Sequence, residues 1–350
     1  MIVINARFLT QKLTGVQRFA IEISKLLKAK IPSIQFIAPA NIIHTDLAKS
    51  LDVKIIGKHT GVFWEQYDLP VYLYQHKKPL LINLCNVAPL LYNHQIITIH
   101  DVAFLVNPSW FNKKFVAFYK FLIPRIAKRS ELIFTVSNFS KQEIIKYLNI
   151  DNDKIKVVYN GISELPEGQL KRNEFGKYVL VVGSIDQRKN IHRLLKAFNT
   201  IKDKSLKLLI AGDVSAIFNN KNNETLKNNE QITFLGRVDD ITLRALYSNA
   251  LIFVYPSLYE GFGIPPLEAM YYNCPTIVSD IDSLKEVCGE ASLFVDPYSS
   301  DDIAQKIELL ANDEPLRTEL IKKGSENIKR YSWEKSAAIF ADVINKLNQN

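Results

Sequence analysis

Cysteine, methionine and tryptophan are scarce in this chain of 350 residues, which has three, two and three of them. Cys85, Cys274 and Cys288 are odd in number and far apart, so neither a disulfide framework nor a zinc-ligand spacing is indicated. No apolar run approaches the roughly 18–20 residues that a membrane-spanning helix needs. The opening, MIVINARF, has no basic stretch ahead of its short apolar run and does not read as a signal peptide. No GxGxxG occurs, so a dinucleotide cofactor has no support. RNP, helix-turn-helix and zinc-finger patterns are also missing, and nucleic acid is not expected as a partner despite an isoelectric point near 9.1. With 47% hydrophobic and 23% charged residues, the chain reads as folded and cytosolic.

What is present is first of all an uneven charge. The net charge is +8, and residues 1–170 carry 21 Lys and Arg against 12 Asp and Glu, while the remainder carries 23 against 24. The whole basic excess lies in the first half, a pattern compatible with an anionic substrate or an anionic membrane surface. The segment Phe111 to Arg129 concentrates it, with six basic residues and no acid. There Phe111, Phe115, Phe118, Leu122 and Ile126 fall on one helical face, which suits either an interfacial helix or an ordinary domain helix with a solvated basic side.

Short apolar runs alternate with amphipathic stretches along the chain. Strands are predicted at 2–5, 34–38, 80–84, 96–100, 132–136 and 155–159, then at 178–183, 206–212, 232–236, 251–256, 276–279 and 292–295. Runs apolar on both faces, separated by helices, predict parallel sheets covered on both sides, an α/β chain. The polar segment 161–174 lacks periodicity and divides it into two doubly wound halves, 1–165 and 166–331. Ligands of such sheets bind beyond the carboxyl ends of the strands, and the informative residues follow strands here.

In YPSLYEGFGIPPLEAM (255–270) a strand gives way to a glycine-flanked loop and then to a helix near Pro265. Gly261 and Gly263 allow the backbone close to a ligand, and the amides at the helix start offer an anion site. Glu260 and Glu268 bracket the loop. Glu268 is placed in the first helical turn, where it either complements the helix dipole or accepts from ribose hydroxyls. In VLVVGSIDQRKN (179–190), Arg188 and Lys189 stand at a predicted helix start, as diphosphate ligands or as solvated charges. His100, after the strand at 96–100, could donate to a sugar hydroxyl or an oxyanion, with Asp101 fixing its tautomer or lying close to the acceptor. Gly15, in LTGVQR after the first strand, would let that loop approach phosphates. Asp151/Asp153 and Asp280/Asp282 have the Asp-x-Asp spacing of some metal sites, but turn and helix-cap roles explain them better.

Together TGVQRF, IHDVAF, TVSNFS, VVYNGI, GSIDQRKN, FLGRV and EGFGIPPLE resemble the retaining glycosyltransferases of family 4, over nearly the whole chain. The last is similar to that family's E-x7-E motif. The resemblance implies a GT-B fold, with two Rossmann-like domains facing across a cleft and the final helix, within 332–350, packing back on the first domain. It implies that Glu260 contacts the donor sugar and Glu268 the nucleotide ribose. Lys189 with Arg188 would hold the diphosphate together with amides around Phe262, Gly263 and Ile264. His100 would bond the donor sugar, Gly15 would lie against the phosphates, and Arg237 and Val238 would line the base pocket. Many members carry arginine where this sequence has Ser184, leaving Arg188 or Arg18 to supply that charge.

The implied reaction is metal-independent transfer from a nucleotide-diphosphate sugar by a front-face mechanism, with no cofactor. The acceptor it implies is lipid-linked or an oligosaccharide, in bacterial surface-polysaccharide synthesis, and the short IHDVAF form resembles users of GDP-mannose or dTDP-rhamnose. A sugar-nucleotide epimerase and an inactive nucleotide-sugar-binding scaffold are the competing readings. Glu260 and Lys189 are expected at the cleft surface, so alanine at either should abolish transfer with the fold intact.

Overall fold

The computed structural model describes residues 1–167, 175–184, 186–213 and 229–349. The stretch 168–174 of the expected linker and most of the Asn-rich tract at 219–229 lie outside them. The chain divides into two compact units, 1–161 with 332–350, and 162–331. The division therefore falls after Gly161 rather than after Leu165. The reason is local: the Leu165 amide donates to the Tyr272 hydroxyl at 2.7 Å and its carbonyl accepts from Arg244 at 2.9 Å, both partners in the second unit. Tyr159, by contrast, accepts from Ser336 Oγ at 2.6 Å, within the first.

In the first unit a parallel sheet runs β3-β2-β1-β4-β5-β6-β7. Its strands are β1 (Ile2–Asn5), β2 (Gln35–Ala38), β3 (Val53–Ile55), β4 (Leu80–Asn83), β5 (Gln95–Thr98), β6 (Leu132–Thr135) and β7 (Ile155–Val157). In the second unit the order is β10-β9-β8-β11-β12-β13. These are β8 (Tyr178–Val182), β9 (Lys207–Ala211), β10 (Ile232–Gly236), β11 (Ile252–Tyr255), β12 (Thr276–Ser279) and β13 (Ser292–Val295). Twelve of these match predicted strands to within a few residues. The exception is β3, an edge strand with an exposed lysine at its centre, which presents no two-sided apolar run to recognise.

Each sheet reverses its strand order once, between β1 and β4 and between β8 and β11. In open α/β sheets these reversals open a crevice at the carboxyl ends, where ligands bind. Both central pairs are in parallel register, Ile4 beside Ile82 and Phe253 beside Leu180.

The last helix, Trp333–Gln349, belongs to the first unit. Phe340 is fully buried, its ring 3.9 Å from that of Phe134 and 6.0 Å from that of Phe19 on helix Gly15–Lys30. The basic helix, Lys113–Arg129, departs from its single predicted apolar face. Leu122, Ile123, Ile126 and Ala127 are buried, whereas Phe115, Phe118 and Phe121 are exposed. The C-terminal half packs on the core and the N-terminal half leaves its phenylalanines in solvent.

Phe340→Ala removes a large ring from a closed aromatic cluster. It should cost about 3–5 kcal/mol, measurable as a lowered urea midpoint of the first unit by intrinsic fluorescence.

Candidate active site

The loops after β8 and β11, the two strands at the second reversal, converge. Leaving β8, the chain passes Gly183, whose carbonyl lies so close to Gly212 beyond β9 that a Cβ on Gly212 would sit 1.8 Å from it. Only glycine fits at 212, and the two strand ends are held together as a result. Asp186 then caps a 3-10 turn, Gln187–Lys189, by accepting from the Lys189 amide at 3.0 Å, and Ser184 Oγ donates to the other Asp186 oxygen at 2.8 Å. Arg188 and Lys189 thus stand in that turn rather than at the start of helix Ile191–Thr200. Asn190, buried at a positive φ of 59°, locks the turn by donating to the carbonyls of Pro256 at 2.9 Å and Pro297 at 2.7 Å.

From the β11 side comes Glu260. Lys189 Nζ donates to Glu260 Oε1 at 2.6 Å and to the Tyr255 hydroxyl at 2.5 Å, and Arg188 lies 3.0 Å from Glu260 Oε2. Arg188 also donates to the Tyr259 carbonyl at 3.1 Å and accepts from the Leu258 amide through its own carbonyl at 2.8 Å. Burial raises the Glu260 carboxyl, but Lys189 and then Arg188 outweigh it and hold it at about 2. On Lys189, burial wins over Glu260, with Arg188 adding to it, and the ammonium is held below its ordinary value. The asymmetry follows from two cations sharing one carboxylate.

The expectation that Glu260 and Lys189 lie at the surface is corrected here, since their side chains are only 9% and 12% exposed. Removing Glu260 strands the Lys189 ammonium, so alanine there disturbs the fold as well as the site, whereas removing Lys189 leaves Glu260 paired with Arg188.

Gly263, at φ +112°, caps helix Ile264–Tyr271. Pro265 and Pro266 have no N–H, so the anion-facing amides at this helix start reduce to those near Gly263 and Ile264. Phe262 is buried with its ring edge-on to Tyr331. Glu268 is in the second helical turn, not the first, and is buried. Its Oε2 accepts from the Tyr247 hydroxyl at 3.0 Å, and burial followed by the Glu268 charge raises that phenol well above its ordinary value. Arg237 is exposed, 3.6 Å from Asp213, and Val238 beside it is half-buried.

In the first unit His100 follows β5, buried, with its ring edge-on to Phe19 at 4.9 Å. Its Nε2 lies 3.0 Å from the Leu84 carbonyl, which can only accept. The tautomer is therefore set by Leu84 and not by Asp101, whose Oδ1 accepts from the Ala103 amide at 2.9 Å. Nε2 carries the proton, so the remaining nitrogen, Nδ1, accepts from a hydroxyl rather than donating to one. Gly15 is the exposed first residue of helix Gly15–Lys30.

Asp151 and Asp153 lie at a 3-10 turn, Asn152–Lys154, as expected, but the expected cap from Asp280 or Asp282 is not made: helix Asp282–Cys288 is capped by Ile281, and Asp280 pairs with Lys285 at 2.5 Å. Among the described residues no three His, Cys, Asp or Glu side chains converge on one point.

Two parallel sheets, each with one reversal point and the second carrying a cationic cluster there, form a pair of Rossmann-like domains. Comparison with known proteins agrees. The family model "Glycosyl transferases group 1" matches residues 164–327, and "Glycosyltransferase Family 4" matches 65–164. O-antigen chain mannosyltransferase RfbU of Salmonella typhimurium is 35% identical over 73% of this chain and 70% of its own. O-antigen chain mannosyltransferase B of Escherichia coli is 32% identical over 68% and 67%. The structure of HepE from Anabaena, in complex with UDP and glucose, superposes with a TM-score of 0.76 at 15% identity, over 99% of both chains. The sucrose-phosphate synthase of Thermosynechococcus elongatus does so at 0.78 and 18%, over 99% and 98%. The chain has the GT-B fold. It belongs to glycosyltransferase family 4 and is a hexosyltransferase.

Two predictions follow from the geometry. Glu260→Gln should destabilise the second unit by about 3–5 kcal/mol, and Lys189→Met by less, because Arg188 still neutralises Glu260. The double variant should lose less than their sum, which a double-mutant cycle in urea reads directly. His100 is held below its ordinary value by burial, opposed by its bond to Leu84 and by Asp101. The unfolded chain therefore takes up that proton first, and the contribution of His100 to stability falls as pH drops below about 6.5. Ring-nitrogen NMR should show the neutral Nε2–H form at pH 7, with protonation setting in at lower pH than for a free imidazole.

Proposed function

We propose that the chain transfers a hexosyl or deoxyhexosyl unit, mannose or rhamnose, from a nucleotide-diphosphate sugar to a glycan on a polyprenyl diphosphate carrier. The setting is assembly of an O-antigen or similar surface polysaccharide at the cytoplasmic membrane face. The observation that carries this reading is the Glu260–Lys189–Arg188 cluster at the β8/β11 reversal. It presents two cations, suited to a departing diphosphate, and a carboxylate fully ionised at neutral pH, suited to sugar hydroxyls. The mannose preference is supported by likeness to O-antigen chain mannosyltransferases.

Glu260 is held on both oxygens by cations, which argues against its acting as a covalent nucleophile. The proposed step is front-face. The anomeric bond to the diphosphate breaks, the acceptor oxygen bonds on the same face, and its proton passes to the departing phosphate. Configuration is retained and no metal takes part. Glu268, oriented by Tyr247, would accept from the ribose hydroxyls, and Nδ1 of His100 from a sugar hydroxyl.

No helix among the described residues is long and apolar enough to cross a membrane. The exposed Phe115, Phe118 and Phe121, interleaved with Lys113, Lys114, Lys120 and Arg125, support a peripheral membrane contact by the first domain.

A thermal-shift panel of GDP, UDP, dTDP, ADP and CDP without metal tests the donor site. One nucleotide should stabilise the protein, by about 2.7 kcal/mol at a hundredfold excess over Kd, and Glu268→Ala should remove the shift. Transfer should survive EDTA unchanged. Loss of activity restored by a divalent cation would overturn the metal-independent step, and no shift from any nucleotide would favour an inactive scaffold.

A further inference from the structure

Lys189 is held at three points along its length. Its amide donates to Asp186 Oδ1 at 3.0 Å, and its Cδ and Cε run along Gly183, 3.7 Å from the point where a Cβ there would stand. At the tip, Nζ donates to Glu260 Oε1 at 2.6 Å and to the Tyr255 hydroxyl at 2.5 Å. An ammonium has three N–H donors and no acceptor. Two are engaged here, and among the described residues no third acceptor lies within hydrogen-bond distance of Nζ. The side chain keeps 12% of its surface exposed, so one N–H is left for a ligand.

Glu260 already supplies the counter-charge to this ammonium. The phenol adds no charge, and what it contributes is direction. With Glu260 alone the ammonium swings on its last carbons, whereas two acceptors at fixed places leave one orientation for all three N–H groups. Tyr255 is such a fixed place. It ends β11, 2% exposed, in register with Val278 of β12, and its ring stacks with that of Phe253 at 6.1 Å. Nζ also lies 4.7 Å from the centre of the Tyr255 ring, so the cation touches ring and hydroxyl together. Burial, and after it the Glu260 charge, raises the phenol well above its ordinary value, and it stays neutral beside the cation.

We propose that Tyr255 is a positioning residue for donor binding: its hydroxyl fixes the Lys189 ammonium so that the one remaining N–H meets a phosphoryl oxygen of the leaving diphosphate. The assignment rests on the diphosphate reading of this site above. Phenylalanine at 255 keeps the ring and its packing and removes only the acceptor. The ammonium then turns freely beside Glu260, and its third N–H is no longer aimed. An acceptor bonded to an ammonium favours the charged form, so its loss also lowers the pH at which Lys189 gives up its proton. The titratable and charged groups facing Lys189 are Glu260 and Tyr255, from β11 and the loop after it, and Arg188 and Asp186 from its own turn. Tyr255→Phe leaves the other three in place.

The test is NMR of lysine Cε and Nζ on the full chain, with the Lys189 signals assigned by their loss in Lys189→Met and inorganic pyrophosphate in EDTA as the probe. Pyrophosphate should shift the Lys189 signals of wild type. Tyr255→Phe should weaken pyrophosphate about fivefold at pH 7, the worth of one hydrogen bond, and should lower the Lys189 titration midpoint by roughly half a pH unit. Loosened packing alone would not move that midpoint. If the variant does not fold, wild type decides: the Overhauser contact between Lys189 Hε and the Tyr255 ring should persist with pyrophosphate bound. Its disappearance would mean that the anion displaces the phenol and would overturn the proposal. A folded Tyr255→Phe that matches wild type in affinity and midpoint overturns the positioning role and leaves the donor reading standing. No pyrophosphate binding by wild type, or binding that survives Lys189→Met unchanged, overturns the donor reading and the positioning role with it.

Discussion

The second domain's site depends on a single carboxylate held between two cations. Glu260 joins the turn after β8 to the loop after β11, and every other arrangement there is hung on that link. Lys189 is capped by Asp186, Arg188 is pinned to the chain at Leu258 and Tyr259, and Asn190 ties the turn to Pro256 and Pro297. A buried ion pair is not in itself a strong source of stability, because desolvation offsets most of the attraction. Its value here is geometric. Three side chains that would otherwise each choose among rotamers share one arrangement, so any anion bound there would meet charge that is already oriented.

Much of the fold was legible in the sequence because parallel strands covered on both faces leave continuous apolar runs, as in YVLVV and LLIN. The one strand missed, β3, lies at an edge with Lys54 in solvent, where that signal does not exist. The basic helix misled for the opposite reason. Its periodicity is real, but periodicity reports which residues share a face and not whether that face is covered. Leu122 and Ile126 are covered, Phe115 and Phe118 are not.

At the site, sequence spacing reached the residues but not their partners. Glu260, Glu268, Arg188, Lys189 and His100 were all singled out from their positions after strands. Tyr255 and Tyr247, which orient Lys189 and Glu268, were not, since each lies in a run that reads as ordinary core. Asp101 was credited with a task that the Leu84 carbonyl performs, because chain adjacency suggested a contact that β4, the neighbouring strand, supplies instead. Hydrogen-bond partners 16 to 66 positions away leave no local trace, and only the packed sheet reveals them.

The two reversal points differ most in their charge count, and that difference bears on what each can hold. At β1/β4 one guanidinium, that of Arg7, meets one carboxylate, that of Glu65, and the pair needs no counter-charge. At β8/β11 two partly buried cations share the Glu260 carboxylate, an arrangement suited to an anionic ligand. On the proposed function, the second of these sheet reversals would meet an anionic leaving group with charge already in place.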